Sequence, residues 1–356
     1  MKKTLVAIAA LASFGAYAQS VQIGGVLDAG VASYSNEGVA KKSLTSFSGG
    51  GLDAPSNFFI KGSEDLGGGM KANFQLESGI STGNGANNNQ MPNTLFGRMA
   101  FVGLSGGFGS VNLGLQFDPA FVSTLETDPN GGTEYAAGVS QWLNTGTANA
   151  AASTSGAGIF DSNAISYSTP SMGGFGATVL MTLGGVSGNS SANSHTSIGL
   201  KYSGVPGLLI TAGGYQSKNA TGGTGTESNV GASYKFGKAT VAVNYLETNT
   251  SGSLASNKIT ATNFGGGYEI NSAASVTAGY YDIENKTTNG SLKTFSVIGH
   301  YALSKTTKLY LGGQNAKNSG FGGAALDAGG VGSNVSTSAA NAVTSTGFVF
   351  GMTKAF

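Results

Sequence analysis

The stretch Phe58–Ser78 reads FFIKGSEDLGGGMKANFQLES, and it determines how the rest of the chain is interpreted. Its second half, Met70–Glu77, alternates strictly between apolar residues and the polar residues Lys71, Asn73, Gln75 and Glu77. A β-strand with this alternation has one apolar face and one polar face. Such a strand either covers a soluble core or separates lipid from water, and the remaining sequence decides between these two possibilities.

The first 18 residues predict an export signal. Lys2 and Lys3 are basic, Thr4–Gly15 is apolar, and Ala16–Ala18 has the A-x-A pattern of a cleavage site. The agreement of charge, length and cleavage site disfavours the alternative, a buried N-terminal helix. The segment is shorter than the roughly 20 apolar residues of a transmembrane helix. We therefore expect residues 1–18 to be a cleaved signal peptide and residues 19–356 to form a single domain.

The composition excludes several classes of function. There is no cysteine, so the chain has no disulfide, catalytic thiolate or zinc–sulfur site. The chain has 18 Lys and Arg against 17 Asp and Glu, and removal of Lys2 and Lys3 leaves 16 against 17, a net charge of −1. Such a balance indicates no nucleic-acid partner. Sixty glycines without a collagen repeat predict many turns.

Sixteen segments have the pattern of β-strands, and no segment has a helical period. Several strands are about ten residues long, the length that crosses a bilayer at a tilt and longer than the five or six residues usual in soluble sheets. Short turns alternate with longer loops at residues 35–55, 81–95, 118–163, 249–257 and 316–342. This asymmetry is typical of a transmembrane β-barrel with two unlike aqueous sides.

The C-terminal strand supports the same interpretation. Phe348, Phe350, Met352 and Phe356 share one parity, which suits a lipid-facing strand that ends in an interfacial aromatic. Lys354 shares that parity, but near the interface a lysine costs only about 0–1 kcal/mol. We therefore predict an all-β fold, a sixteen-stranded antiparallel transmembrane β-barrel whose apolar faces point outward. A barrel of this size encloses an aqueous channel.

At several motifs the chain resembles the Gram-negative trimeric porins of the β-proteobacterial type. The similar motifs are VQIGGVLDAGVASYSN (21–36), SNFFIKGSEDLGGGMKANFQLESG (56–79), FGRMAFVGLSGGFGSVNLGLQFDP (96–119), NAISYSTPSMGGFGA (163–177) and the terminal GMTKAF (351–356). They cover roughly the first half of the chain and the last strand. Between them the resemblance rests on the rhythm of the hairpins.

The resemblance implies a homotrimer in the outer membrane of a Gram-negative bacterium, with the third extracellular loop folded into each barrel as a constriction. That loop corresponds to about residues 118–163. Its acids, Asp118, Glu126, Asp128 and Glu134, are expected opposite the basic wall residues Lys61, Lys71 and Arg98. Phe356 matches the closing phenylalanine of the family, its barrel assembly signal. Asp28 and Glu77 are expected to line the lumen without a special role.

The departures from the family affect the constriction. Asn57, Leu115 and Phe160 stand where the family usually has arginine, and Phe59 stands where it usually has glycine. We therefore expect a less basic and more apolar constriction, without strong anion selectivity. Alternation places Leu115 outward, whereas a bulge would turn it inward, and the sequence leaves both possibilities open.

The function predicted from the sequence is passive diffusion of ions and small hydrophilic solutes through a water-filled channel, with no reaction and no cofactor. His195 and His300 lie in no metal-binding pattern, so no metal site is expected. Expected partners are outer-membrane lipid and lipopolysaccharide. Two alternatives remain: an outer-membrane barrel enzyme such as a lipase, although no Gly-x-Ser-x-Gly motif occurs, and an exported adhesin, although no short repeat occurs.

Overall fold

The computed structural model describes residues 20–37, 42–89, 93–133, 135, 159–189, 191–254, 256–321 and 343–356. In these ranges the chain forms seventeen β-strands in one sheet and a single α-helix. Within the described residues there is no helix both long and apolar enough to span a membrane. The predicted signal peptide lies outside the described residues.

The first strands are β1 (Ser20–Glu37), β2 (Lys42–Ser48), β3 (Asn57–Gly67), β4 (Met70–Gly79), β5 (Met99–Gly106) and β6 (Gly109–Phe117). Helix α1 (Pro119–Glu126) follows β6. The remaining strands are β7 (Phe160–Ser168), β8 (Phe175–Thr182), β9 (Ser194–Tyr202), β10 (Leu208–Lys218), β11 (Thr224–Phe236), β12 (Ala239–Ser251), β13 (Asn257–Glu269), β14 (Ala274–Asn285), β15 (Gly290–Ser304), β16 (Thr307–Ser319) and β17 (Val343–Ala355).

The sheet is antiparallel and closes on itself. β1 pairs with β17 from Val26 opposite Ala355 to Tyr34 opposite Gly347. On its other edge β1 pairs with β3 over its first half and with β2 over its second half, so β2 and β3 share one place in the sheet. Seventeen strands less this one shared place give sixteen positions around the barrel. The predicted sixteen-stranded antiparallel barrel is confirmed.

The two faces of the sheet differ as the alternation predicts. On β12, Val243 is 48% exposed while its neighbour Asn244 is 1% exposed. We call the side of Val243 the outer face and the side of Asn244 the inner face. Aromatic side chains are exposed beside the short turns, including Phe108, Phe175, Phe236, Tyr268 and Tyr301. A belt of this kind is what a barrel places at a membrane interface.

The short turns require glycine. Gly67, Gly68 and Gly69 connect β3 to β4 with φ values of +82°, +62° and +80°, which side chains rarely adopt. A hairpin therefore forms where the sequence concentrates its glycines.

Two elements were not predicted. β2 lies within residues 35–55, for which the sequence predicted a loop. The strand was missed because its apolar and polar residues do not alternate clearly. α1 contradicts the expectation that no helix occurs. The signal for it was present: Asp118 caps the helix by accepting a hydrogen bond from the Phe121 amide, and Pro119 occupies the first turn.

α1 packs against the inner face of β9 to β11. Ser123 Oγ donates to the Ala212 carbonyl over 3.1 Å, and Thr211 Oγ1 donates to the Ser123 carbonyl over 2.7 Å. Glycine permits this close approach, because a Cβ on Gly199 would lie 2.6 Å from the Pro119 carbonyl oxygen. The helix is therefore held against the inner face by hydrogen bonds between side chains and backbone, at a position where Gly199 has no side chain to keep it away.

Candidate functional site

The chain that follows α1 continues across the inner face. Asn244 on β12 donates to the Thr127 carbonyl over 3.2 Å. Asn130 then donates to Tyr281 Oη on β14 over 3.0 Å and to Ser296 Oγ on β15 over 2.8 Å. These bonds attach residues 127–130 to strands far from β6 and β7 in the sheet order. Residues 127–130 thus contact the inner face of β12, β14 and β15.

A second segment, residues 49–56 between β2 and β3, also lies on the inner face. Asp28 Oδ2 accepts the backbone N–H groups of Asp53 and Ala54, each over 2.8 Å, and Asp28 Oδ1 accepts from Tyr310 Oη over 2.6 Å. Asp28 is fully buried. Our expectation for Asp28 was wrong, because it holds this segment to the barrel and does not line open lumen.

Asp53 is the ionic anchor of the same segment. His300 Nε2 lies 2.6 Å from Asp53 Oδ1, and Lys308 Nζ lies 2.6 Å from Asp53 Oδ2. Burial opposes ionisation, but the hydrogen bond and charge of His300, together with Lys308, hold the pKa of Asp53 below its ordinary value. The two inner segments also touch each other, since the Tyr135 amide donates to the Leu52 carbonyl over 2.7 Å. Asp53 and its partners were missed because residues 53 and 300 meet only in the folded barrel.

The predicted loop acids have unlike surroundings. Asp118 is buried at the start of α1, where burial and the nearby carboxylate of Asp161 raise its pKa well above the ordinary value. Glu126, at the end of α1, is partly exposed and lies 2.6 Å from Lys201 Nζ. Glu134 lies outside the described residues.

Asp128 is buried and holds the segment after α1 together. Its Oδ1 accepts from the Asn130 amide over 2.9 Å, the Gly132 amide over 3.3 Å and Tyr281 Oη over 3.1 Å. Burial raises its pKa to about 6, although these hydrogen bonds oppose the rise. Among the described residues its Oδ2 has no hydrogen-bond partner.

The three predicted basic residues also differ. Arg98 Nε lies 2.7 Å from Glu77 Oε1, and both side chains are nearly buried. The charge of Arg98 is therefore balanced by Glu77, a residue expected to have no special role. Lys71 is exposed and lies one residue after the start of β4, beside the short turn and opposite Asp65. Lys61 is exposed in the middle of β3, with Nζ 4.9 Å from the centre of the Phe59 ring.

The four altered positions are placed as follows. Asn57 begins β3, and its side chain donates to the Pro55 carbonyl over 3.0 Å. Phe59 lies on the inner face opposite Glu77. Phe160 is buried, with its ring centre 4.5 Å from that of Phe117 and 5.1 Å from the Arg98 guanidinium carbon.

Leu115 lies at an irregularity of the sheet. The register of β6 with β7 shifts between Gly114 and Gln116, and Gly114 has a φ of +132°. On the β5 side Leu115 is opposite Ala100, and its side chain is buried. The bulge that the sequence left open is therefore present at this position.

A buried cluster near α1 was not anticipated. His195 Nδ1 lies 3.2 Å from Asp161 Oδ1 and 2.9 Å from Tyr215 Oη, and all three side chains are buried. No grouping of His, Cys, Asp or Glu suited to a metal ion occurs within the ranges that the structure describes. These contacts tie β7, β9 and β10 together behind the helix.

The last residue, Phe356, is paired with the first strand. Its amide donates to the Gly25 carbonyl over 3.1 Å, and its carbonyl accepts from the Gly25 amide over 3.2 Å. The side chain is exposed on the outer face beside the short turns. Its role as an assembly signal stays a prediction.

Known proteins match this chain over most of its length. Residues 4–321 match the model of a family described as Gram-negative porin. An outer membrane porin protein of Bordetella pertussis is 30% identical over 384 aligned residues, which cover 90% of this chain and 96% of that protein. Outer membrane porin protein 32 of Delftia acidovorans is 35% identical, covering 67% of both chains. The solved anion-selective porin from Comamonas acidovorans superposes with a TM-score of 0.80 at 26% identity, covering 95% of this chain and all of that one.

Proposed function

Since this chain belongs to the Gram-negative porin family and is an outer-membrane porin, we propose that its inner face, its two inner segments and a few uncompensated charges together decide which solutes diffuse through it. Passive diffusion needs a wet interior, an apolar exterior and no catalytic group. The family and the barrel favour this channel over the barrel-enzyme and adhesin alternatives.

The observation that carries the proposal is the segregation of side chains between the two faces. The outer face exposes large apolar residues such as Leu311, at 67%, while buried polar residues such as Gln314 and Asn244 lie on the inner face. Lipid solvates the first kind of surface and water the second. A closed sheet also satisfies its backbone hydrogen bonds where no water is available.

We propose that residues 118–163 form the constriction, together with residues 49–56. The support is that α1 bonds to the inner face at β10, whereas Asn130 and Asp53 bond to the inner face at β15. Two inward segments narrow the lumen more than one would. The Asp53→Asn variant, which weakens the ion pairs to His300 and Lys308, should therefore increase single-channel conductance or its fluctuation.

The selectivity proposed for this chain is weak. One relative with a solved structure is described as anion-selective. Here Arg98 is balanced by Glu77, and Lys201 by Glu126, so that little uncompensated positive charge faces the lumen. Lys61 is an exception, because none of the described carboxylates lies within ion-pair distance of it.

We further propose a homotrimer that is embedded among outer-membrane lipid and lipopolysaccharide. Support comes from the outer face of β3 and β4, where Phe58, Ile60, Phe74 and Leu76 are only partly exposed. Phe74 fits over Gly62, where a Cβ would lie 2.3 Å from its ring. The apolar side chains of this face are therefore less exposed than those of β16 and β17, such as Leu311 at 67% and Phe350 at 60%, and closely packed apolar side chains suit contact with another subunit.

Purified protein in planar bilayers tests the proposal directly. We expect single-channel steps in potassium chloride and a reversal potential near zero under a salt gradient. Unheated samples should migrate as trimers on gels. Silent bilayers would contradict the channel, while channels with a strongly anion-favouring reversal potential would contradict only the weak selectivity.

A further inference from the structure

Lys61 lies in an unusually apolar part of the inner face. Directly opposite residues on neighbouring strands share a face, so Lys61, Gln75 on β4 and Phe101 on β5 form one row across the inner face. The adjoining row contains Phe59, Glu77 and Met99. Phe59, Met99 and Phe101 are all partly exposed. A cation thus lies over one aromatic ring, while a second ring and a methionine lie two strands away on the same inner face.

The other charges in these rows cancel. Glu77 accepts both from Arg98 Nε over 2.7 Å and from Gln75 Nε2 over 3.0 Å. Lys61 is the only cation in these two rows, and no described carboxylate lies within ion-pair distance of it. An anion that enters this region therefore meets a single favourable charge.

A glycine on the neighbouring strand leaves room for the ring of Phe59. A Cβ on Gly24, the residue opposite Phe59 on β1, would lie 2.8 Å from Phe59 Cζ. The glycine leaves room for the ring beside β1, and Lys61 Nζ lies over the ring at 4.9 Å from its centre, a distance typical of a cation–π contact. Phe59 and Lys61 therefore form one unit with an apolar surface and a positive end.

We propose that these two rows are a binding site for aromatic carboxylates, with the carboxylate at Lys61 Nζ and the ring against Phe59, Met99 and Phe101. The inference rests on the channel function and names the class of solute that the channel favours. Strands lie about 4.8 Å apart, so the backbones of Lys61 and Phe101 are roughly 10 Å apart. An anion held at Lys61 can therefore direct its ring toward Phe101 along the same row. A small hydrophilic anion would use only Lys61, and a neutral aromatic only the rings.

Single-channel recording at about pH 7, well above the pKa of a carboxylic acid, tests the site. Sodium benzoate, sodium acetate and benzyl alcohol are each added to channels that conduct potassium chloride. We expect benzoate to reduce the chloride current at concentrations about three- to tenfold below those needed for acetate, since paired aromatic rings contribute about that factor in binding. Benzyl alcohol should have little effect.

Three variants separate this site from a general effect. Lys61→Gln and Phe59→Leu should each bring the benzoate concentration close to that for acetate. Phe295→Leu is the matched control, because it also removes an aromatic ring but lies exposed on the outer face of β15, far from the site and from the proposed subunit contact, and it should retain the difference. Potassium chloride conductance and the heat-dependent gel shift verify that each variant is folded.

The outcomes are distinguishable from a failure of the channel itself. If the channels conduct chloride but benzoate and acetate act alike, or if Phe59→Leu retains the difference, the aromatic site is refuted and the porin function stands. If no variant and no wild-type sample forms channels, the channel function fails first.

Discussion

Arg98 and Glu77 show how one contact sets the charge that a passing solute meets. They are 21 residues apart in sequence, but the pairing of β3, β4 and β5 brings them within 2.7 Å in nearly buried positions. An arginine counted from the sequence as a fixed positive charge is therefore half of a neutral pair. Its partner could be identified only once the register of the strands was known.

Removing the charge of Glu77 and removing the charge of Arg98 should shift ion selectivity in opposite directions. Glu77→Gln leaves Arg98 uncompensated and should move the reversal potential toward anions, while Arg98→Gln should move it toward cations. Each change also destabilises the barrel by about 3 kcal/mol, because a nearly buried charge loses its partner. Reversal potentials in a potassium chloride gradient measure the first effect and heat-induced gel shifts the second.

The matched control for that experiment is Glu284→Gln. Glu284 is partly exposed on the outer face and forms an ion pair with Lys286. Solvent-accessible pairs contribute little, so neither selectivity nor stability should change. Shifts of the same sign for Glu77→Gln and Arg98→Gln would contradict the proposed cancellation.

Asp128 makes stability depend on pH near neutrality. Its pKa is raised by burial to about 6 in the folded chain, from an ordinary value of 3.8. Ionisation therefore opposes folding: the cost is absent below about pH 4, grows between about pH 4 and 6, and reaches about 3 kcal/mol above pH 6. Lowering the pH from about 7.5 to 5 should stabilise the protein.

Asp128→Asn should remove this part of the pH dependence. The amide keeps the acceptor for Asn130, Gly132 and Tyr281, and it carries no charge. The temperature of half-conversion in the gel shift should rise at about pH 7.5, and it should rise by only about half as much at pH 5. Asp65→Asn, at an exposed turn, is the control. Equal pH dependence in the Asp128→Asn variant and the wild type would assign the effect to other groups.

At the scale of elements, the strands were predictable and the inner segments were not. The strand from Met70 to Glu77 could be assigned because alternation reports a boundary between two solvents. That boundary surrounds the whole barrel, so most of the other strands carry the same signal. α1 faces protein on one side and the interior on the other, and only Asp118 and Pro119 marked its start. β2 has too few apolar residues to show a period.

The candidate site divides in the same way. Lys61 and Phe59 lie on the inner face, and the parity that they share is visible in the sequence of β3. The contacts of Asp28 and Asp53 could not be predicted, because their partners Tyr310 and His300 lie about 250 or more residues away in sequence. Long-range hydrogen bonds leave no local pattern in the chain.

The start of α1 should depend on the acceptor of Asp118 and not on its charge. Asp118→Ala removes the hydrogen bond to the Phe121 amide and should destabilise the helix by about 1 kcal/mol. Asp118→Asn keeps an acceptor and avoids placing a charge near Asp161, so it should be neutral or stabilising. Hydrogen exchange of the Phe121–Glu126 amides measures the difference. Faster exchange in both variants would show that the charge itself is required.

At the scale of the whole molecule, the outer face must match the membrane at each depth. Val243 lies in the middle of β12 on this face, so Val243→Lys should cost about 2–4 kcal/mol in lipid. Phe236→Lys lies beside a short turn and should cost at most about 1 kcal/mol for the charge. Urea-dependent folding into lipid vesicles measures both, and equal costs would contradict the assigned orientation.

The pairing of β1 with β17 joins residues near the two ends of the chain. β17 is synthesised after β1, so a chain that lacks β17 has two unpaired sheet edges and cannot close the barrel. Unpaired sheet edges promote aggregation, so such truncated chains would need to be bound by chaperones or degraded. The seam can therefore form only in a chain that contains both β1 and β17.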